Sequence, residues 1–159
     1  MTVFPQMHHA PSDYVCPICL GIQNIQNKHT LLLPQDLVYK NGLVSAFINS
    51  FFIEGSEGHI IIVPNAHVEN LYDLNDAQAE AVLVAAKQIA RAMKLAYACD
   101  GITLLQNNEP AGDQHAFHFH LHVFPRYEND QFHTKVLKKR TAEPKERKEF
   151  AEKIRNAIF

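Results

Sequence analysis

Residues 118–122 place histidine at every second position, His118, His120 and His122, with Phe119 and Leu121 between them and Val123 and Phe124 following. No other stretch constrains the fold as tightly. A β-strand sends successive side chains to opposite faces, so this spacing puts the three imidazoles on one face and Phe119, Leu121 and Val123 on the other, with roughly 6.6 Å between like positions. A helix would scatter them. The pattern therefore predicts a strand with one face in the core and the other in a site, where imidazoles in a row can line an anionic ligand or hold a metal. Two plainer readings exist, a half-exposed strand that happens to carry histidine and a low-complexity metal-binding tract. The apolar residues in the gaps and the stop at Pro125 argue against both.

At 159 residues and 47% hydrophobic, the chain can bury one proper core, and the expected organisation is a flexible arm over 1–13 followed by a single domain over 14–159. A net charge of −2 argues against nucleic-acid binding, which needs clustered Lys and Arg to displace phosphate counterions. The basic run KVLKKR at 135–140 leads into a charged helix and reads as a solvated face. No run approaches the ~20 apolar residues of a membrane span, and the N-terminus lacks the basic start and apolar core of a secretory signal. A cytoplasmic protein without membrane or nucleic-acid partners is expected. The three cysteines do not suggest a disulfide framework; Cys99 reads as a buried small residue, and the Cys16-Pro17-Ile18-Cys19 pair as metal or redox chemistry. A thioredoxin-like redox pair needs a helix directly after its first cysteine, and PICLGIQNIQN is a poor helix.

Along the chain, apolar runs flank Asn41-Gly42, a hairpin signal because both residues tolerate positive φ. GHIIIVP at 58–64 reads as a buried strand, with His59 a structural or capping residue at its start. A long amphipathic helix starts after Asn75, which can cap it with Gln78 at the box position, and stops at Asp100-Gly101. ITLLQNN is a further strand, EPAGDQ a loop, then comes the histidine strand. A C-terminal helix runs from about Glu143 to Ala157, with Pro144 tolerated in its first turn. These elements predict an α+β domain with a mainly antiparallel five-stranded sheet, one long central helix and a C-terminal helix. His8, His9, His29 and His133 lie in polar or terminal stretches and are expected to be exposed.

Imidazole is a good nucleophile toward phosphorus near neutral pH, provided the attacking nitrogen is unprotonated and the other ring N–H is held by a carbonyl. Phosphoryl transfer otherwise needs positioned donors, which the loop before the histidine strand can supply from its backbone, from Gln114 and from Asn107. A Gly-Lys-Ser/Thr phosphate loop and a carboxylate cluster for magnesium are both missing from the sequence, which favours a covalent mechanism without a catalytic metal. Two other classes remain open on the residues alone: a nucleotide-binding module that hydrolyses little, and a zinc hydrolase using all three histidines as ligands.

HFHLHVF resembles the signature of the histidine triad (HIT) superfamily. The likeness extends to AFIN at 46–49, EGHIIIVPNAH at 57–67 and QNNEPAGDQ at 106–114, in the family's order. The resemblance implies a HIT-like domain acting on the α-phosphate of nucleoside 5′-phosphate derivatives, phosphoramidates or dinucleoside polyphosphates, through a nucleotidyl-histidine intermediate. It also implies a purine nucleotide substrate and a homodimer whose sheets join. Carried over by position, His120 is the nucleophile, and His122 contacts phosphate and favours departure of the leaving group. Asn49 takes the ribose hydroxyls, Phe47, Ile48 and Ile18 wall the base, and Asn107, Gln114 and His115 contact phosphate.

The same resemblance implies a structural zinc held by Cys16, Cys19, His67 and His118. Two departures stand out. Asp113-Gln114-His115 replaces the usual Gly-Gln-Ser or Gly-Gln-Thr, and the segment after Cys19, over 20–36, is longer than usual, enough for a short strand of its own or a reshaped rim of the base pocket.

Overall fold

A computed structural model of the chain describes residues 7–158. Five strands form one antiparallel sheet in the order β1-β2-β4-β6-β5: β1 Leu37–Lys40, β2 Val44–Ile48, β4 Ile60–Pro64, β5 Gly101–Gln106 and β6 Leu121–Arg126. Two short strands, β3 Phe51–Ile53 and β7 Lys139–Thr141, pair antiparallel as a separate ribbon. The helices are α1 Pro17–Ile22, α2 Asp76–Tyr97, α3 Phe132–Lys135 and α4 Pro144–Ala157. This is the α+β architecture that the sequence predicts, with the ribbon and two short helices added.

Strand alternation divides the sheet into two unlike faces. Val44, Ala46 and Ile48 of β2, Ile60 and Ile62 of β4, and Leu121 and Val123 of β6 point to one side, where α2 and α4 cover them. Helix α2 meets this face through Val82, Ala85, Ala86, Ile89, Ala92 and Met93, apolar at spacings of three and four. Its start is a capping box: Asn75 Oδ1 accepts from the Gln78 N–H at 2.9 Å and Gln78 Oε1 from the Asn75 N–H at 3.0 Å. The helix stops earlier than Asp100-Gly101, because Ala98 adopts a left-handed φ of 51°, and Gly101 already belongs to β5. Helix α4 is tied down by Arg147, whose buried guanidinium faces the buried Asp36 carboxylate at 3.3 Å. It also lies against Gly58, where φ is +74° and a Cβ would sit 2.3 Å from the Phe150 ring.

Several local expectations change. The Asn41-Gly42 hairpin forms without positive φ, because Asn41 Oδ1 accepts from both the Leu43 and Val44 N–H at 2.8 Å and closes the turn through its side chain. Residues 137–140 are exposed, as a solvated face leading toward α4, but the last two of them also enter β7 and pair with β3, a strand the sequence reading lacks. The stretch after Cys16 does form a helix, with Cys16 Sγ accepting from the Cys19 N–H at 3.3 Å as its cap. The 20–36 segment therefore carries the end of α1 and a 3-10 turn at Pro34–Asp36 rather than a strand. Part of the expected N-terminal arm, residues 1–6, lies outside the described residues. From Met7 onward the arm meets the body: Asn70 Nδ2 donates to the Met7 carbonyl at 2.8 Å, and His9 Nε2 lies 2.8 Å from Glu109.

Candidate active site and metal centre

The second face of the sheet holds the polar chemistry. Register aligns Phe47 of β2, Ile61 of β4, His122 of β6 and Leu105 of β5 in one row across it. At the β2 end of the row, α1 and Leu32 close over Phe47, Ile61 and Val63 and bury Cys16 and Ile18. At the β6 end the cover is histidine and phenylalanine.

The three alternate histidines do not share one strand, as their spacing predicts; only His122 lies in β6. β5 ends at Gln106, opposite Leu121, and the β4 pairing also stops at Leu121, so the preceding residues have no ladder to join. They bond to loops instead: the His118 N–H donates to the Ala116 carbonyl at 2.9 Å and the Phe119 N–H to the Val68 carbonyl at 2.6 Å. Phe119, Leu121 and Val123 still share the helix-covered face. His118, however, turns toward the cysteines.

That turn assembles a four-residue cluster. His118 Nε2 lies 3.0 Å from the Pro64 carbonyl, which fixes its proton there and leaves Nδ1 3.4 Å from both Cys16 Sγ and Cys19 Sγ. His67 Nδ1 is 3.4 Å from Cys19 Sγ, and the ligand atoms of Cys16, Cys19, His67 and His118 all lie within 4.8 Å of one another. Ligand atoms on a tetrahedral zinc are spaced roughly 3.3–3.8 Å apart, so the donor set fits that ion. The hydrogen bond with Cys19, followed by that with His118, pulls the Cys16 thiol down to about 3, while its partnership with Cys16, and then burial, pushes Cys19 up. The helix after Cys16 removes one argument against a redox pair; the two imidazoles facing the sulfurs are what distinguish this site from one.

His120 Nδ1 lies 2.7 Å from the His118 carbonyl oxygen. A carbonyl only accepts, so Nδ1 carries the proton and Nε2 presents its lone pair. Burial lowers the pKa of His120, with the carbonyl opposing, and so favours the neutral ring. The His122 ring sits edge-on to it at 5.0 Å and 81°, and burial, then the charges of His120, His59 and Lys139, hold His122 well below the usual imidazole range. His59 joins this group. It stacks on Phe124 at 4.3 Å, lies 5.5 Å from His122, and burial pushes it down to about 3. Its place was readable in the alternation of β4, which puts His59 on the same face as Ile61.

The remaining positions separate. Phe47 and Ile18 pack in one cluster beside the row and can form an apolar wall, whereas Ile48 cannot join them: adjacent to Phe47 in β2, it points into the helix-covered core and is fully buried. Asn49 lies just past β2, its Oδ1 accepting from the Phe51 N–H at 2.9 Å. Gln114 is buried and engaged at both ends, donating to the Glu69 carbonyl at 2.7 Å and accepting from the Glu109 N–H at 2.8 Å. It braces its loop from within. Asn107 reaches the Asp113 carbonyl at 3.3 Å, and His115 is exposed, with its charge felt at His120.

This sheet face thus carries a carbonyl-held imidazole with an unprotonated ring nitrogen, edge-on to a second imidazole. The HIT domain family model matches residues 20–129, and the chain belongs to that family. It is 34% identical over 145 residues to an uncharacterized HIT-like protein of Borreliella burgdorferi, covering 89% of this chain and 96% of that one. It is 37% identical over 71 residues to an adenosine 5′-monophosphoramidase of Saccharomyces cerevisiae, covering 45% and 42%. Among solved structures, a Hit-like protein from Bartonella henselae involved in cell-cycle regulation superposes with a TM-score of 0.74 at 29% identity, covering 93% of this chain and all of that one.

Proposed function

We propose that the protein is a nucleotide hydrolase or transferase that attacks the α-phosphorus of nucleoside 5′-phosphate derivatives through His120. The observation that carries this reading is the 2.7 Å contact from His120 Nδ1 to the His118 carbonyl, which commits the proton to one nitrogen and the lone pair to the other. Nε2 forms a bond to phosphorus as the bond from phosphorus to the leaving group breaks and its electron pair departs with that group. Water then attacks the same phosphorus, breaking the P–N bond; the nucleoside monophosphate leaves and His120 returns to its neutral form. His122, kept neutral by burial and by its neighbours, can donate a hydrogen bond to a phosphate oxygen without adding charge. Phe47 and Ile18 offer an apolar wall for a purine, Asn49 a contact for the ribose, and Asn107 and His115 polar groups on the phosphate side. The likeness to a yeast monophosphoramidase supports this substrate class.

In the same reading, Cys16, Cys19, His67 and His118 hold a structural zinc, which bound there supplies a tie between the N-terminal segment and the approach to β6, with all four positions taken by protein. The exposed edge of β5, with Leu104 45% accessible, is where a second copy would extend the sheet.

Quenching the enzyme during turnover of an α-labelled adenosine substrate should trap label on His120, and His120→Asn should lose at least ~10³ in kcat while still binding nucleotide. Turnover without an adduct and with an active His120→Asn variant would overturn the reading. Metal analysis should give about one zinc per chain, and Cys16→Ser should lower metal content and melting temperature together.

A further inference from the structure

The loop between β5 and β6 carries Asn107 and His115, the polar groups proposed above for the phosphate side, and its shape turns on Glu109. Residue 109 sits at φ 61° and ψ 160°, a backbone conformation that glycine adopts freely and a residue with a Cβ adopts only under strain. There its carbonyl accepts from the Gly112 N–H at 3.0 Å and the Gln114 N–H at 3.1 Å, and its own N–H donates to Gln114 Oε1 at 2.8 Å. Three bonds to one residue close the loop.

The side chain adds what a glycine would not. Oε1 accepts from the Tyr72 hydroxyl and Oε2 lies 2.8 Å from His9 Nε2, so the two oxygens join the loop to the turn at Leu71–Asp73 and to the N-terminal segment. These contacts, Tyr72 first, hold the carboxyl below the usual carboxylate range. His9 is fixed in its turn: its main-chain N–H donates to Glu69 Oε1 at 2.6 Å, and the Glu69 carbonyl accepts from Gln114 Nε2 at 2.7 Å. His9 lies outside the stretch that the family model matches, and it straps residue 69 to the loop. The carboxylate has no part in the chemistry proposed for His120, where negative charge would oppose an anionic substrate. Its use is mechanical: a residue held by its side chain on two other elements fixes the loop on either side of it.

We infer that Glu109 is a positioning residue: gripped by Tyr72 and His9, its carboxylate holds the 106–115 loop in the shape in which Asn107 and His115 meet the substrate phosphate. The inference rests on the function proposed above and adds to it the group that keeps the phosphate side in place.

The test compares wild type, Glu109→Gly, Glu109→Gln, His9→Ala and the double variant Glu109→Gly/His9→Ala on adenosine 5′-phosphoramidate and diadenosine triphosphate, well below each melting temperature. Glycine suits the backbone of residue 109, so Glu109→Gly removes the side chain alone. It should raise KM for both substrates about fivefold and leave kcat within about twofold, the mark of lost binding rather than lost chemistry. Glu109→Gln, whose amide can still accept from Tyr72 and donate to His9, should keep KM within about twofold of wild type. His9→Ala should raise KM about twofold to threefold, and the double variant should match Glu109→Gly, because His9 acts through that carboxylate. A lowered melting temperature with unchanged KM in Glu109→Gly, a Glu109→Gln variant as impaired as Glu109→Gly, or losses that add in the double variant would overturn the inference. If wild type turns over neither substrate, the proposed function fails separately, and amide exchange, which needs no substrate, decides on Glu109. Glu109→Gly should then speed exchange of the Gly112 and Gln114 N–H groups, and unchanged exchange would overturn the positioning role.

Discussion

The two faces of the one sheet are built on opposite principles. On the helix-covered face Val44, Ala46, Ile48, Ile60, Ile62 and Val123 are wholly buried against α2 and α4, and what counts is volume. On the other face the same strands carry His59, His122 and Phe47, and burial there acts on charge: it keeps imidazoles neutral that would otherwise be partly protonated near their ordinary pKa of 6.5. Burial on one side adds stability, while on the other it costs some stability and keeps imidazoles neutral.

Substitutions should separate the faces. The largest effect is expected from Ile89→Ala, which removes a fully buried side chain from α2 and leaves a cavity against the sheet. It should cost about 2–5 kcal/mol in a denaturant titration and leave kcat per folded molecule near wild type. A large fall in kcat with little loss of stability would break the division between the faces. Next comes pH. His59 is held at about 3 in the folded state against 6.5 when free, so the unfolded chain takes up the proton first as pH falls. Stability is therefore full above about 6.5 and is lost as pH drops toward 3, by about 2 kcal/mol at pH 5 for this one group. His59→Phe keeps a ring on Phe124 and should shrink the stability difference between pH 7 and pH 5 by about that amount; an unchanged difference would show that His59 is not the group that resists protonation. The smallest effect belongs to Asn75→Ala, which removes the α2 cap and should cost about 1 kcal/mol with activity intact.

The helix-covered face was the more legible in sequence. The bounds of α4 and the capped start of α2 follow from Pro144, Asn75 and Gln78, because helix starts are written in local hydrogen-bonding chemistry. The core role of Phe119, Leu121 and Val123 follows from alternation alone. What escaped was decided by partners distant in sequence. His118 stays on the face opposite Phe119, but it and His120 fall outside β6, because β5 ends opposite Leu121 and the pairing with β4 stops there, a fact of register that spacing does not encode. β7 was hidden because KRT has no apolar alternation and pairs with a strand some ninety residues earlier. Ile48 was misplaced for the opposite reason: resemblance assigned it beside Phe47, although the period of two that placed the histidines puts adjacent residues on opposite faces. Gln114, read by resemblance as a phosphate contact, is committed to bracing its own loop.

His118 serves two neighbours through two different parts of itself. Its ring faces the cysteines, but the group that sets the tautomer of His120 is its main-chain oxygen, which any amino acid would supply. The identity of residue 118 is thus free as far as the His120 tautomer is concerned and is constrained by what its ring meets, the two cysteines and the Pro64 carbonyl. A lineage that lost Cys16 and Cys19 could also exchange the first histidine, provided the backbone kept its path, and retain the chemistry of the second.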